Sequence, residues 1–224
     1  MKRIILVIIL IIPTYCIYAQ SLDDDKQYID SLLKLGNLNA DQVVQLYKKM
    51  ISLKYPEFQI NTNTGEIEIS DILTFTNLNK KTIFQRCLEW IAINYDNLIY
   101  NDIESGKIIA YGLIDLNHFA EYPSDLGGKK VRQVQTPTNY ILILTLKDNK
   151  IKYTVTTITY KFTNFSETTD EISYPITSLF PIKISAQHWI RFLTVLNATS
   201  EMFYNNLKHS LFNYVNDVNN DYKF

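Results

Sequence analysis

The chain is poor in the residues from which enzymes and metalloproteins most often build their sites. Its 224 residues include two cysteines, six glycines and three histidines. His118, His188 and His209 are scattered, without the close pair that histidine-rich metal sites usually show. No Walker loop, Gly-rich dinucleotide turn, His-Glu-x-x-His or zinc-ribbon spacing occurs. Charge of one sign is also missing. The formal net charge is −1, so there is no basic stripe to track a phosphate backbone, and Lys129, Lys130 and Arg132 make only a short basic loop. No nucleic-acid partner is expected. The acids Glu167, Asp170 and Glu171 sit beside threonines, where a solvated loop outranks paired catalytic carboxylates. No low-complexity linker or internal repeat divides the chain, which reads as one principal domain with an N-terminal extension.

A hydrophobic run of spanning length is not found either. Lys2 and Arg3 precede nine apolar residues, Ile4 to Ile12, then Pro13 and an Ile17-Tyr18-Ala19 ending. A spanning helix needs about 20 such residues. The pattern is that of a secretory signal peptide, residues 1–19, cut after Ala19. Lipid attachment at Cys16 is disfavoured by the bulky Tyr15 before it. Cleavage removes two of 22 basic residues against 23 acids, so the charge moves from −1 to −3, and Cys87 is left as the one cysteine. No intramolecular disulfide can then form.

Residues 20–60 read as a helical extension. Ser21 caps a first helix with Asp23, Asp24 and Asp25 in its first turn, ending near Gly36; Asn39 with Gln42 starts a second, which Pro56 stops. The domain proper, 61–224, opens with turn residues Asn61 to Gly65 and a strand from Glu66 to Phe75. Asn79 caps a helix to about Tyr95, with Ile83, Phe84, Cys87, Leu88, Ile91 and Tyr95 on one stripe, Trp90 at its edge, and Gln85, Arg86 and Glu89 opposite. Strands at 98–103 and 107–116 flank a Glu104-Ser105-Gly106 turn, an irregular loop covers 117–138, and strands at 140–146 and 151–162 turn at Asp148-Asn149. The apolar phase slips within the last of these, which predicts a bulge near Thr156 and Thr157. After a less regular stretch, Ser185 caps a final helix to about Asn219, unbroken or hinged at residues 197–200.

The order strand, helix, four strands, helix predicts an α+β fold with an antiparallel sheet packed by helices. The stretch "ISDILTFTNLNKKTIFQRCLEWIAINYDNLIYNDIESGKIIAYGLI", with "NYILILTLKDNKIKYTVTTITYKF" after it, resembles a Bacteroidota family of uncharacterised domains with a TBP-like fold. The features that carry the resemblance are the capped helix ending in Glu89-Trp90, the Glu-Ser-Gly-Lys-Ile turn at 104–108 and the Lys-Asp-Asn-Lys turn at 147–150, over residues 66–165. Departures are the long 117–138 segment, Asn149 where glycine is usual, and the helical segment before residue 60. The resemblance implies a fold and a cell-envelope location, and no mechanism.

Cys87, mid-stripe among apolar neighbours, reads as a buried and inert thiol. No catalytic, cofactor-binding or metal-ligating residue is singled out, and no cofactor is expected. One feature exceeds a plain fold: strand 140–146 carries Tyr140, Leu142, Leu144 and Leu146 on one face and Ile141 and Ile143 on the other, and strand 107–116 is similar. A sheet packed by helices on one side needs only one such face. Cover by helices 22–54, by a twin subunit or by an apolar lipid or peptide is expected. The sequence thus points to an exported, periplasmic or extracellular binding module, possible as a homodimer and not membrane-spanning, with an envelope enzyme of unrecognised site as the rival.

Overall fold

The computed structural model describes residues 40–123, 129–163, 171–183 and 188–217. The expected signal peptide, the first helix with its acidic turn, and the Asn39 and Ser185 caps lie outside them. The chain divides into two compact units, Met1–Glu57 and Phe58–Phe224.

In the first unit, helix α1 (Ala40–Ser52) buries Leu46, Tyr47 and Met50. It ends in a Schellman turn, with Tyr55 N–H bonded to Met50 O and Lys54 N–H to Ile51 O. Lys54, at φ 53°, takes the left-handed position that glycine usually fills.

The second unit is a seven-stranded, wholly antiparallel sheet with helices on one face. Its strands are β1 (Gln59–Ile60), β2 (Ile67–Thr74), β3 (Asn97–Asp102), β4 (Lys107–Pro123), β5 (Lys129–Lys147), β6 (Lys150–Thr163) and β7 (Glu171–Pro175). They lie in the order β1-β2-β6-β5-β4-β3. β2 pairs with the first half of β6 (Ile69↔Val155) and β7 with its second half (Tyr160↔Tyr174), so two short strands share one edge of one long strand.

Helix α2 (Lys80–Asn94) begins where Asn79 Oδ1 accepts from Thr82 N–H at 2.9 Å and stops at Tyr95. The β5–β6 turn is tied to this start: Asn149 Oδ1 accepts from Leu78 N–H and Asp148 Oδ1 from Lys80 N–H. That accounts for an asparagine where the resemblance expects glycine. It adopts the left-handed conformation, φ 58°, and its side chain also holds the helix start. Gly106, φ 65°, accepts from Leu146 N–H, and a Cβ there would lie 2.5 Å from Leu146 O.

The expected bulge is present. Ile141 pairs with Thr156 and Asn139 with Thr159, which leaves Thr157 and Ile158 opposite Tyr140 alone, with Thr157 at φ 55°. The bulge brings both Val155 and Ile158 to the core face.

Three expectations need correction. Segment 117–138 is not an irregular loop: β4 and β5 continue paired through it, from Asn117↔Gln135 to Pro123↔Lys129. Its inward positions include His118, Thr136 and Thr138, all buried, so polar residues hide the alternation. The stretch after 163 supplies β7 and a short helix α3 (Ile176–Leu179). Arg86 does not face solvent, because the last helix covers that side of α2, and Glu89 is half-buried. Arg86 is buried with Nη1 donating to Val215 O at 2.6 Å, and Trp90 Nε1 donates to Ser210 Oγ at 3.1 Å.

That last helix runs from Trp189 to Asn216. It comprises α4 (Trp189–Ser200), a π-helical stretch (Glu201–Asn206) and α5 (Leu207–Asn216), with helical backbone at both junctions. Within it Leu207 N–H reaches Met202 O, five residues back. Leu196, Phe203, Leu207 and Leu211 join Ile83, Cys87 and Trp90 of α2 and Ile108, Leu142, Leu144 and Tyr153 of the sheet in one core.

Candidate binding face of the sheet

Side chains alternate between the two faces of a strand. On β4 the inward row is Ile108, Ala110, Gly112, Ile114, Leu116, His118 and Ala120, and it lies under the helices. The outward row is Lys107, Ile109, Tyr111, Leu113 and Asp115. Directly opposite on β5 stand Ile143, beside Ile109, and Ile141, beside Tyr111; on β3, Tyr100 pairs with Ile109. Six apolar side chains on three adjacent strands thus form one patch on the face opposite the unit's own helices.

The two-sided apolar strands read from the sequence are therefore real. Ile109, Ile141 and Ile143 are half-buried by one another, but Tyr100 is 44 % exposed, Tyr111 38 % and Leu113 60 %. Residues 22–39 of the helices considered as cover lie outside the description. Thr145, Thr154 and Lys152 bound the patch toward β6, and Lys107 and Asp115 close the two ends of its β4 row.

The reactive side chains do not converge. Cys87 is fully buried in the core, and burial pushes its thiol far above the ordinary range. His188 stands exposed just before α4 and His209 exposed on α5. His118 is 2 % exposed in a polar clasp. Its Nε2 lies 2.7 Å from Thr136 Oγ1, and its Nδ1 lies 3.1 Å from Phe119 O and 3.3 Å from Thr194 Oγ1. A carbonyl beside Nδ1 requires a proton there, so the neutral ring donates from Nδ1 and accepts at Nε2 from Thr136. Burial foremost, with Arg191 adding to it, lowers the imidazole to about 4, while the bond to Phe119 O acts the other way. Thr194 of α4 donates to Phe119 O at 2.6 Å, so the clasp joins helix to strands. Nothing in the sequence marks it except a histidine and a threonine at inward positions of paired strands.

Lys129 and Lys130 begin β5, and Arg132, opposite Ala120, is exposed. Glu171 opens β7; Glu167 and Asp170 lie outside the described residues. Glu89 is half-buried, with Oε2 unbonded among the described residues. Among these residues no three His, Cys, Asp or Glu side chains group as a metal site, and no helix is long and apolar enough to cross a membrane.

A seven-stranded antiparallel sheet with all its helices on one side is a TBP-like α+β fold, and two solved structures share it. One is a TBP-like protein from Parabacteroides distasonis, with TM-score 0.52 and 17 % identity, covering 70 % of this chain and 96 % of that one. The other is a DUF4468 family protein from Bacteroides ovatus, with TM-score 0.51 and 14 % identity, covering 70 % and 91 %. Residues 69–161 match the model of the domain of unknown function DUF4468 with TBP-like fold. No curated protein matches the chain.

Proposed function

We propose that the protein is an exported, non-enzymatic binding module of a bacterial cell envelope and that it binds through the face of its sheet opposite the second unit's own helices. The observation that carries this reading is the patch formed by Tyr100, Ile109, Tyr111, Leu113, Ile141 and Ile143. Contiguous exposed apolar patches on soluble proteins are often functional. The buried states of Cys87 and His118 favour binding over catalysis by these two groups. Export rests on the N-terminal Lys2-Arg3 and apolar Ile4–Ile12 pattern.

The test is a titration of dilute protein, about 0.1 µM, with an environment-sensitive apolar dye, on the wild type and on Leu113→Lys. Enhanced fluorescence in the wild type, weakened at least severalfold in the variant, is the expected result. No dye binding by the wild type would sink the reading. N-terminal sequencing of the exported protein is expected to begin at Gln20; an acylated Cys16 would overturn the cleavage site.

A further inference from the structure

The geometry points to a second copy of this chain as the occupant of the exposed face, packed sheet against sheet about a twofold axis. The axis lies in the interface at the level of Tyr111 and runs across the strands. This rests on the reading of that face as a binding surface and adds what sits on it.

The argument is one of charge order. Along β4 the outward side chains read cation, apolar, apolar, apolar, anion, from Lys107 to Asp115, with Tyr111 at the centre. Sheets that pack face to face keep their strands within about 30° of one another, which leaves two closed dimer geometries. A twofold along the strands sets Lys107 over the partner subunit's Lys107 and Asp115 over the partner subunit's Asp115. A twofold across the strands reverses their direction. Lys107 then faces Asp115 of the partner subunit twice over, and the apolar centres coincide.

On β3 Asp102 stands opposite Lys107, but its carboxylate is taken up by the backbone N–H groups of Glu104 and Ser105. Ile141 and Ile143 lie on one side of the β4 row and Tyr100 on the other, so the centre of the contact is apolar across three strands. Lys152 on β6, two strands away, limits how far the contact extends. An anionic lipid surface would call for cations at both ends of the patch, and Asp115 occupies one of them. Six side chains on three strands make a smaller contact than the roughly 20–30 residues a side of standard stable complexes, so a weak dimer is expected.

Sedimentation velocity on protein purified from cells expressing the full chain, from about 1 to about 100 µM, reads the monomer–dimer equilibrium. Asp115→Lys is expected to weaken dimerisation about tenfold, since both facing pairs become repulsive. The double swap Lys107→Asp/Asp115→Lys is expected to restore it. Circular dichroism matching the wild type's shows that these exposed substitutions leave the fold intact. A dimer indifferent to the single change, or a double swap no better than the single, overturns the proposal. A monomer at every concentration overturns it too, and the dye titration then separates the causes. Dye bound at Leu113 leaves the binding face standing with a different occupant; no dye removes both readings.

Discussion

Gly112 sits directly opposite Tyr140 in the β4–β5 ladder, and the tyrosine ring lies flat over it. A Cβ added to Gly112 would stand 2.2 Å from Cζ and 2.6 Å from each Cε of that ring. The ring has nowhere to retreat. It packs edge-on against Phe203 at 4.7 Å, and its hydroxyl donates to that of Tyr95 at 3.2 Å. Gly112→Ala therefore forces an overpacked core, at about 1–3 kcal/mol, and displaces a buried hydroxyl bond worth about 1 kcal/mol. A loss of about 3 kcal/mol is expected. Tyr140→Leu removes the Cε and Cζ atoms while keeping an apolar side chain. In that background Gly112→Ala should cost nothing, or gain about 0.5 kcal/mol because glycine weakens a strand interior. The coupling in the double-mutant cycle is then about 3 kcal/mol. Urea unfolding followed by tryptophan fluorescence measures it, with Trp90 buried in the same core. A cost below about 1 kcal/mol in the wild type, or an equal cost in both backgrounds, would refute the reasoning.

The clasp around His118 gives a pH dependence. Its folded-state value, about 4, lies below the roughly 6.5 of an unfolded histidine, so the unfolded chain binds the proton first. The clasp's contribution is complete above about pH 6.5 and is lost as the pH falls toward 4, about 3 kcal/mol in all. Denaturant midpoints across that window should fall more steeply for the wild type than for His118→Gln; parallel slopes would remove the histidine from the account. Cys87 predicts a kinetic result. Mass-spectrometric mapping should find its thiol unlabelled by a disulfide reagent in native protein and labelled on unfolding, and rapid native labelling would show that the core opens at α2.

Most of the second unit was legible because local chemistry and tertiary demand coincide there. Asn79 bonds Thr82 as an N-cap should, Gly106 supplies the positive φ of its turn, and the slip of apolar phase after Val155 reported the bulge at Thr157. Where polar residues took inward positions, the pattern failed. His118, Thr136 and Thr138 are buried because they bond one another and the backbone around them, and a hydrophobic period cannot register that. Arg86 escaped for a related reason: a cation on the far side of α2 reads as solvated until Val215 O, in a helix of distant sequence, accepts from it. The apolar outer face was visible as Ile141 and Ile143 out of phase with Leu142 and Leu144. Its exposure was not, because periodicity shows where apolar side chains lie and not what stands over them.

The final helix explains why the functional question falls on that face. Its buried positions Val195, Thr199, Phe203, Leu207, Leu211 and Val215 recur every four residues, and an α-helix of 3.6 residues per turn drifts about 40° at each such step. Over the whole run the stripe would rotate off the sheet. The π-helical stretch at 201–206, wider per turn, winds it back, and Phe203 stays fully buried with its carbonyl accepting from Tyr153 Oη at 3.1 Å. One continuous helix can then hold β4 through Thr194, β6 through Thr199 and Phe203, and α2 through Ser210 and Val215. The inner face of the sheet is thus covered at β4 and β6 by the unit's own chain. On the other side Tyr100, Tyr111 and Leu113 stand exposed, within reach of an apolar partner.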